Sequence, residues 1–457
     1  MNRVTKRTWL MGLFICVLLG GMLFFIWEYA TKSQQWVITA GSPHIYSGGN
    51  IGCGTVTDRS GALLLDMTNN RTYSANETTR KSTLHWLGDR GGYINASAIA
   101  NYAAKMSGFD KFNGVYNAAG DGGTATLTLS ARVQNVALEA LGGRKGTVGV
   151  YNYKTGELIC AVTSPTYDPD NVPDIQGDAS GAYEGVYLNR FVQSAYIPGS
   201  IFKVVTTAAA LESVDDILDK TFLCTGTYEY GTEAVTCEAI HGYVDLKNAL
   251  ARSCNCAFAQ IAELVGKDNM VKYVDRFQVT QPLKFDGITT AAGNYDVSKT
   301  AMVSFAWSCI GQHTDLINPA RFMTFMGAIA NGGKGVEPHI MSWVQVGNEM
   351  SYQAKTAKAE RIMSEDVANL LHSYLRNNVS SVYGDWNFGG LNVCAKSGTS
   401  QLGGGQTSNA MFAGFVEDAK YPLAFIVVVE NGGYGASACV PVLSKVLAEC
   451  KAVFDNP

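Results

Sequence analysis

The chain has 457 residues, 47% hydrophobic and 16% charged, with a formal net charge of −4. That composition supports a large core and excludes global disorder. There is no basic excess to attract nucleic acid, and the length calls for two or three structural units rather than one.

Residues 9–27 (WLMGLFICVLLGGMLFFIW) carry no charge and begin and end on a tryptophan. Such a run is long enough to cross the hydrocarbon core of a bilayer with its tryptophans at the two interfaces. Arg3, Lys6 and Arg7 precede it and Glu28 follows. The positive-inside rule therefore keeps residues 1–8 in the cytoplasm and places the rest of the chain outside. A cleaved signal peptide is the alternative; the length of the apolar run and the lack of an A-x-A-like site after it favour an uncleaved anchor.

Residues 28–143 read as a stalk (30–48, polar) followed by a small β-containing module, rich in Gly, Asn and Thr, with one helix over 97–105. Leu127–Leu141 starts extended and becomes a helix with Val133, Val136, Ala137 and Leu141 on one face, ended by Gly142-Gly143. The apolar runs 147–153 and 158–163, flanking Lys154-Thr155-Gly156-Glu157, spell a β-hairpin. At Tyr196–Val205, Pro198 and Gly199 mark a helix start, and the residues from Ser200 onward are apolar nearly all round, as in a buried helix. Near the C-terminus, 391–395, 410–417 and 423–430 read as strands, the last two joined by a turn at 418–422, and 440–454 reads as a closing helix. Strands from both ends of residues 144–457 then form one antiparallel sheet flanked by helices, an α+β domain.

Ser200 and Lys203 share the first turn of the buried helix. A serine at a helix N-terminus has its backbone N–H and the helix dipole available for a developing anion, and a desolvated lysine beside it can take its proton. Alone, S-x-x-K is equally a helix cap beside a snorkelling lysine. Two further motifs follow in order: Ser253-Cys254-Asn255 at the start of a helical run, and Lys396-Ser397-Gly398-Thr399 on the strand before a Gly-rich turn. Each has a bland reading as a cap or a turn, but together they are specific.

This order and spacing resembles the penicillin-binding proteins, acyl-serine transferases with S-x-x-K, S-x-N and K-[ST]-G motifs. Asp58-Arg59-Ser60-Gly61, Ser164–Pro169, Asn189-Arg190 and His241-Gly242 extend the likeness to class B members over roughly residues 50–457. Cys53 and Leu129-Ser130 depart from the usual pattern, both outside the catalytic motifs. The resemblance implies a D,D-transpeptidase that cross-links peptidoglycan stem peptides ending in D-Ala-D-Ala and is acylated by β-lactams. It implies Ser200 as nucleophile, Lys203 as base and Ser253 as a proton relay. Asn255 would hold the substrate amide, and Lys396, Ser397 and Thr399 its carboxylate. Gly398 would let the substrate lie against the strand, and the N–H groups of Ser200 and Thr399 would form the oxyanion hole. Catalysis of this kind needs no cofactor. The stretch between the span and the hairpin at 147 is shorter than a glycosyltransferase domain requires, and no repeat domain follows the last helix, so a membrane partner that polymerises glycan, of the SEDS type, is expected. A D,D-carboxypeptidase, a β-lactamase and a non-catalytic β-lactam sensor or scaffold on the same fold are the competing readings.

Eleven cysteines remain to be placed. Cys16 lies in the span, and Cys160, Cys309 and Cys394 read as core. Cys224, Cys237, His241 and Cys254 follow one another as C-x12-C-x3-H-x12-C, with a hairpin between the first two. A Cys224–Cys237 disulfide is the simplest expectation outside the membrane. A closed Cys3His structural zinc site is the sharper one, pinning the loop that carries Ser253 and Asn255, and four unrelated buried side chains are the third possibility.

Overall fold

Helix α1 (Asn2–Trp36) opens the chain, with every large apolar side chain from Trp9 to Trp27 exposed. It is the one helix among the described residues long and apolar enough to cross a membrane. The computed structural model describes residues 2–36, 46–47, 50–68, 71–109, 122–357 and 359–456. The stalk expected over 30–48 is thus helical as far as Trp36, and 37–45 and 48–49 lie outside the described residues.

The N-terminal module follows as β1 (Thr55–Thr57), β2 (Leu63–Asp66), β3 (Thr72–Tyr73), α2 (Glu77–Leu87), α3 (Ser97–Met106), β4 (Thr124–Leu127) and α4 (Ala131–Leu141). The turn after β1 is organised by buried Asp58. Its carboxylate accepts from the Ser60 and Ala62 amides, the Ser60 hydroxyl and, across the module, the Ala131 amide. Ser130 caps α4 by accepting from Val133 N, and Gly142 ends it at φ +61°. The α4 face differs from expectation at one position: Gln134 is buried and Val136 is not. The Gln134 amide donates to Ser82 O and accepts from Ala161 N, so hydrogen bonding decides what faces inward there.

The expected hairpin is β5 (Gly146–Asn152) and β6 (Leu158–Ser164). Beyond it, buried helix α5 (Lys203–Ser213) is followed by β7 (Thr221–Cys224), β8 (Thr227–Tyr230), β9 (Glu233–Thr236), β10 (Gly242–Asp245) and α6 (Asn255–Val265). Then come α7 (Met302–Ile310), α8 (Pro319–Ala330), the hairpin β11 (Met341–Val346) and β12 (Glu349–Gln353), and α9 (Glu365–Asn378). The chain closes with β13 (Val393–Ser400), β14 (Asn409–Val416), β15 (Leu423–Val429) and α10 (Gly435–Asp455).

Two sheets organise these elements. One has the order β13-β14-β15-β5-β6 and is antiparallel throughout. Val148, Val150, Phe412 and Val427 face α4 and α10, whereas Ala413, Phe415, Ile426 and Val428 face the core that contains α5 and α8. Covered on both sides, β5, β6, β14 and β15 are buried at every residue, so they read as continuous apolar runs rather than alternating ones. This is the α+β arrangement read from the sequence. The other sheet has the order β12-β11-β4-β1-β2-β3, with β4 parallel to β1 and antiparallel to β11. It therefore includes a hairpin contributed some two hundred residues downstream of its other strands.

The closing helix starts at Gly435, five residues earlier than expected, and contains Pro441. Its first turn is anchored from outside, by Gly435 N donating to Thr399 Oγ1 at 3.1 Å. Pro441 is the seventh residue of the helix, past its first turn, so it removes one intrahelical bond, to the Ser437 carbonyl.

Candidate active site

The segment Pro198–Phe202 enters α5 as a 3-10 turn. Gly199 has φ +57°, and a Cβ there would lie 2.5 Å from Thr399 O. Its N–H donates to Gly311 O at 2.8 Å. Gly311, at φ +90°, could carry no Cβ without approaching Gly199 O to 2.1 Å. Two glycines in the left-handed region thus let three backbone segments close around Ser200, which stays half-buried at the wall of a groove of about 770 Å³. A smaller cavity of about 180 Å³, walled by Phe277 and Arg321, shares no residue with it.

Lys203, one turn on, is fully buried. Its Nζ donates to Ser253 O at 2.6 Å, Ser253 Oγ at 3.1 Å and Asn255 Oδ1 at 2.7 Å, and lies over the Phe258 ring. Three acceptors satisfy three N–H groups, yet none is a carboxylate. Burial, and then the charge of Lys396, lower its pKa to about 7. Ser253 reaches this position with φ +53°, a left-handed conformation rare outside glycine, directly before Cys254, which caps α6 by accepting from Ala257 N.

Lys396 comes from edge strand β13 and is also fully buried, which lowers its pKa to about 7. Strand alternation turns Lys396 and Gly398 toward the turn that carries Ser200, and a Cβ on Gly398 would meet Pro198 O at 2.7 Å. Ser397 and Thr399 point to the other face, toward α10. Tyr383 Oη lies 2.9 Å from Ser397 Oγ and accepts from Ser397 N at 3.0 Å. Gln312 Nε2 donates to Thr399 O at 3.1 Å. Ser200, Ser253, Asn255, Ser397 and Thr399 all line the one groove, together with Tyr383, His241 and Glu238. Tyr383, Gly311 and Gln312 were not legible as site residues. The only local cue to Tyr383 is its place just ahead of the third motif.

All eleven cysteines are free thiols, so the Cys224–Cys237 disulfide is not formed. The register of β7 with β10 sets Cys224 opposite Gly242 and leaves the His241 ring between the two sulfurs. His241 Nδ1 is 3.6 Å from Cys224 Sγ and 3.5 Å from Cys237 Sγ, and Cys237 Sγ is 4.0 Å from Cys254 Sγ. All four donor atoms lie within 4.8 Å of one another. Ligands of a tetrahedral zinc sit about 3.8 Å (S–S) and about 3.6 Å (S–N) apart, so the set fits that ion. Cys237 Sγ also accepts from Asn255 N and Cys254 Sγ from Ala257 N, bonds that favour thiolates. The Cys254 hydrogen bond holds the Cys237 pKa down to about 3 and pushes that of Cys254 up. His372, Cys394 and Glu417 form a second grouping, but there the His372 ring already pairs with the Glu417 carboxylate at 3.3 Å.

Residues 146–448 match the family model described as the penicillin-binding protein transpeptidase domain. The chain is similar to peptidoglycan D,D-transpeptidase PbpA of Mycolicibacterium smegmatis, 26% identical over 343 residues that make up 69% of each chain. In structure it is similar to penicillin-binding protein A of M. tuberculosis in its penicillin G acyl-enzyme complex: TM-score 0.75, 21% identity, covering 88% of this chain and 99% of that one. It is equally similar to the D,D-transpeptidase domain of a peptidoglycan glycosyltransferase from Eggerthella lenta: TM-score 0.75, 24% identity, covering 88% and 98%.

Proposed function

The chain belongs to the penicillin-binding protein transpeptidase family, and we propose that it is a class B peptidoglycan D,D-transpeptidase acting through an acyl-enzyme on Ser200. The observation that carries this reading is the convergence of Ser200, the Lys203–Ser253–Asn255 cluster and the Lys396–Thr399 strand on one groove. Lys203, poised near neutrality, takes the hydroxyl proton as Ser200 Oγ attacks the carbonyl of the penultimate D-Ala. The oxyanion forms against the N–H groups of Ser200 and Thr399, each worth about 10²–10³ in rate. Ser253, bonded to Lys203, passes a proton to the leaving D-Ala amine. An acceptor amine then attacks the ester, forms the cross-link and frees Ser200. Asn255 holds the substrate amide, and Lys396, Ser397 and Thr399 take the terminal carboxylate. A β-lactam enters by the same first step, but its leaving amine stays tethered.

Mass spectrometry of the detergent-solubilised chain treated with penicillin G tests the assignment. The adduct is expected on the peptide containing Ser200 and absent from Ser200→Ala. Slow adduct release, with transfer of the acyl group to a D-amino acid rather than to water, separates a transpeptidase from a β-lactamase or carboxypeptidase. An adduct on another peptide removes the reading.

The anchor reading belongs here too: α1 spans the membrane with its N-terminus in the cytoplasm and pairs with a SEDS-type glycan polymerase. What supports the orientation is Arg3, Lys6 and Arg7 ahead of the span. What supports the pairing is the presence of three glycines in the span, Gly12, Gly20 and Gly21, each of which would let a partner helix approach closely. Cys224, Cys237, His241 and Cys254 would hold a structural zinc. With four protein ligands, the ion supplies a cross-link between the β7–β10 region and the start of α6, and no open coordination position. Elemental analysis of tag-free protein is expected to give one zinc per chain, lost in Cys237→Ser. Metal-free protein with an intact fold and full acylation rate would argue against it.

A further inference from the structure

Tyr383 is the final residue of a single π-helical turn, Val379–Tyr383, that follows α9, and this is where its place is fixed. π-Turns recur at functional sites because they rotate one side chain out of helical register. The side chain is buried, and its ring meets Phe412 edge-on at a 5.1 Å centroid separation. Its carbonyl accepts from Asn387 Nδ2 at 2.7 Å, and Gly384 at φ +84° turns the chain away. Few side chains around the groove are held from so many directions.

Hydrogen-bond accounting at its hydroxyl has one good solution. Tyr383 Oη accepts from Ser397 N at 3.0 Å and has Lys396 Nζ at 3.5 Å, so donors occupy its lone pairs. Its own proton then has one acceptor within reach, Ser397 Oγ at 2.9 Å. The reverse assignment would crowd a third donor onto Oη and turn the phenol proton away from Ser397 Oγ, its nearest acceptor. With Oγ accepting from Tyr383, the Ser397 proton must point elsewhere, and the groove is where Ser397 is open. Thr399 is set the same way from the opposite side, since its Oγ1 accepts from Gly435 N at 3.1 Å. Both hydroxyls are thereby left as donors toward the groove.

We propose that Tyr383 is a positioning residue for donor-substrate recognition: it fixes the Ser397 hydroxyl as a donor to the terminal carboxylate of the stem peptide or β-lactam. It also occupies the outward N–H of Ser397 on the free edge of β13. Alternation along that edge leaves the Thr399 N–H as the next open one, the amide needed for the oxyanion. The inference rests on the reading of Ser397 as a carboxylate ligand, and the test separates the two.

The experiment measures acylation of the solubilised full chain by a thioester substrate with a free carboxylate and by its methyl ester. In Tyr383→Phe the ring still packs on Phe412 and only the hydroxyl is lost. Losing a hydrogen bond to a charged group is worth roughly tenfold or more, so the free acid is expected to slow by that factor. The methyl ester should change by less than about threefold on the same scale. Ser397→Ala should show the same selective loss, and the double variant should be no slower than Ser397→Ala alone. Thermal melts establish that each variant is folded. An equal loss on acid and ester makes Tyr383 merely structural and overturns the proposal, as does a loss in the double variant that multiplies the two single ones. If Ser397→Ala leaves the acid-to-ester ratio unchanged, the reading of Ser397 fails and takes the proposal with it. If Ser397→Ala shifts the ratio and Tyr383→Phe does not, only the role of Tyr383 fails.

Discussion

Two lysines lie fully buried behind the groove, Lys203 beneath Ser253 and Asn255 and Lys396 on β13, and burial lowers each to a pKa of about 7. On the mechanism proposed above they have opposite tasks. Lys203 works as a base only when neutral, so acylation rises with pH through about 7 and is roughly a hundredfold slower at pH 5. Lys396 attracts a carboxylate only when charged, so acylation by a carboxylate-bearing β-lactam falls again as pH climbs beyond about 7. A bell is expected for such a probe, and a single rising limb for one without the carboxylate. The limbs belong to the coupled pair, since the Lys396 charge is one cause of the low Lys203 value. Removing that charge in Lys396→Met raises the Lys203 pKa and moves the rising limb to higher pH. Stopped-flow acylation between pH 5 and 9 checks all three; an acid limb that stays put in Lys396→Met would dissociate the two lysines.

At the scale of elements, the site is a junction of four backbone segments whose approach is set by glycines. Gly199 abuts Thr399, Gly311 abuts Gly199, Gly398 abuts Pro198, and Gly435 abuts Gly398. Gly311→Ala would drive a methyl group into Gly199 O while forcing a left-handed alanine. The expected cost is about 1–3 kcal/mol of stability and a displaced Ser200, seen as a lowered melting temperature together with slower penicillin labelling. Normal labelling in that variant would mean the turn adapts. Little of this junction is legible in the sequence. The hairpin β5–β6, the strands β13–β15 and the residues of the three motifs could be read because their signals are local: apolar runs, a turn, a short fixed spacing. Ser253 at positive φ carries no compositional mark, and Tyr383 stands fourteen residues from the serine it touches. Cys224, Cys237, His241 and Cys254 were readable as a spacing but not as a geometry, because the strand register that brings them together is a tertiary fact.

At the scale of the whole molecule, the two halves are joined at several places, two of which matter here. Arg80 of α2 grips Asp168, just beyond β6, with both contacts at 2.7 Å, and β11–β12 extends the N-terminal sheet. Neither α1 nor its glycines take part in that joint. Replacing residues 9–27 by an unrelated span is therefore expected to leave penicillin labelling intact while abolishing support of growth, if the pairing with a polymerase proposed above holds. Complementation by the chimera, read as restored cell shape, would reduce α1 to a tether. The second joint also has a bearing on manufacture. A ribosome feeds this chain outward from residue 1, yet β4 sits between β1 and β11, and β11 begins at Met341. During synthesis the N-terminal sheet must wait, one edge of β4 bare, until the chain beyond Met341 has been made. The half that emerges first is the half completed last, and for that interval it carries an unpaired strand edge, exposed to proteases and in need of chaperones.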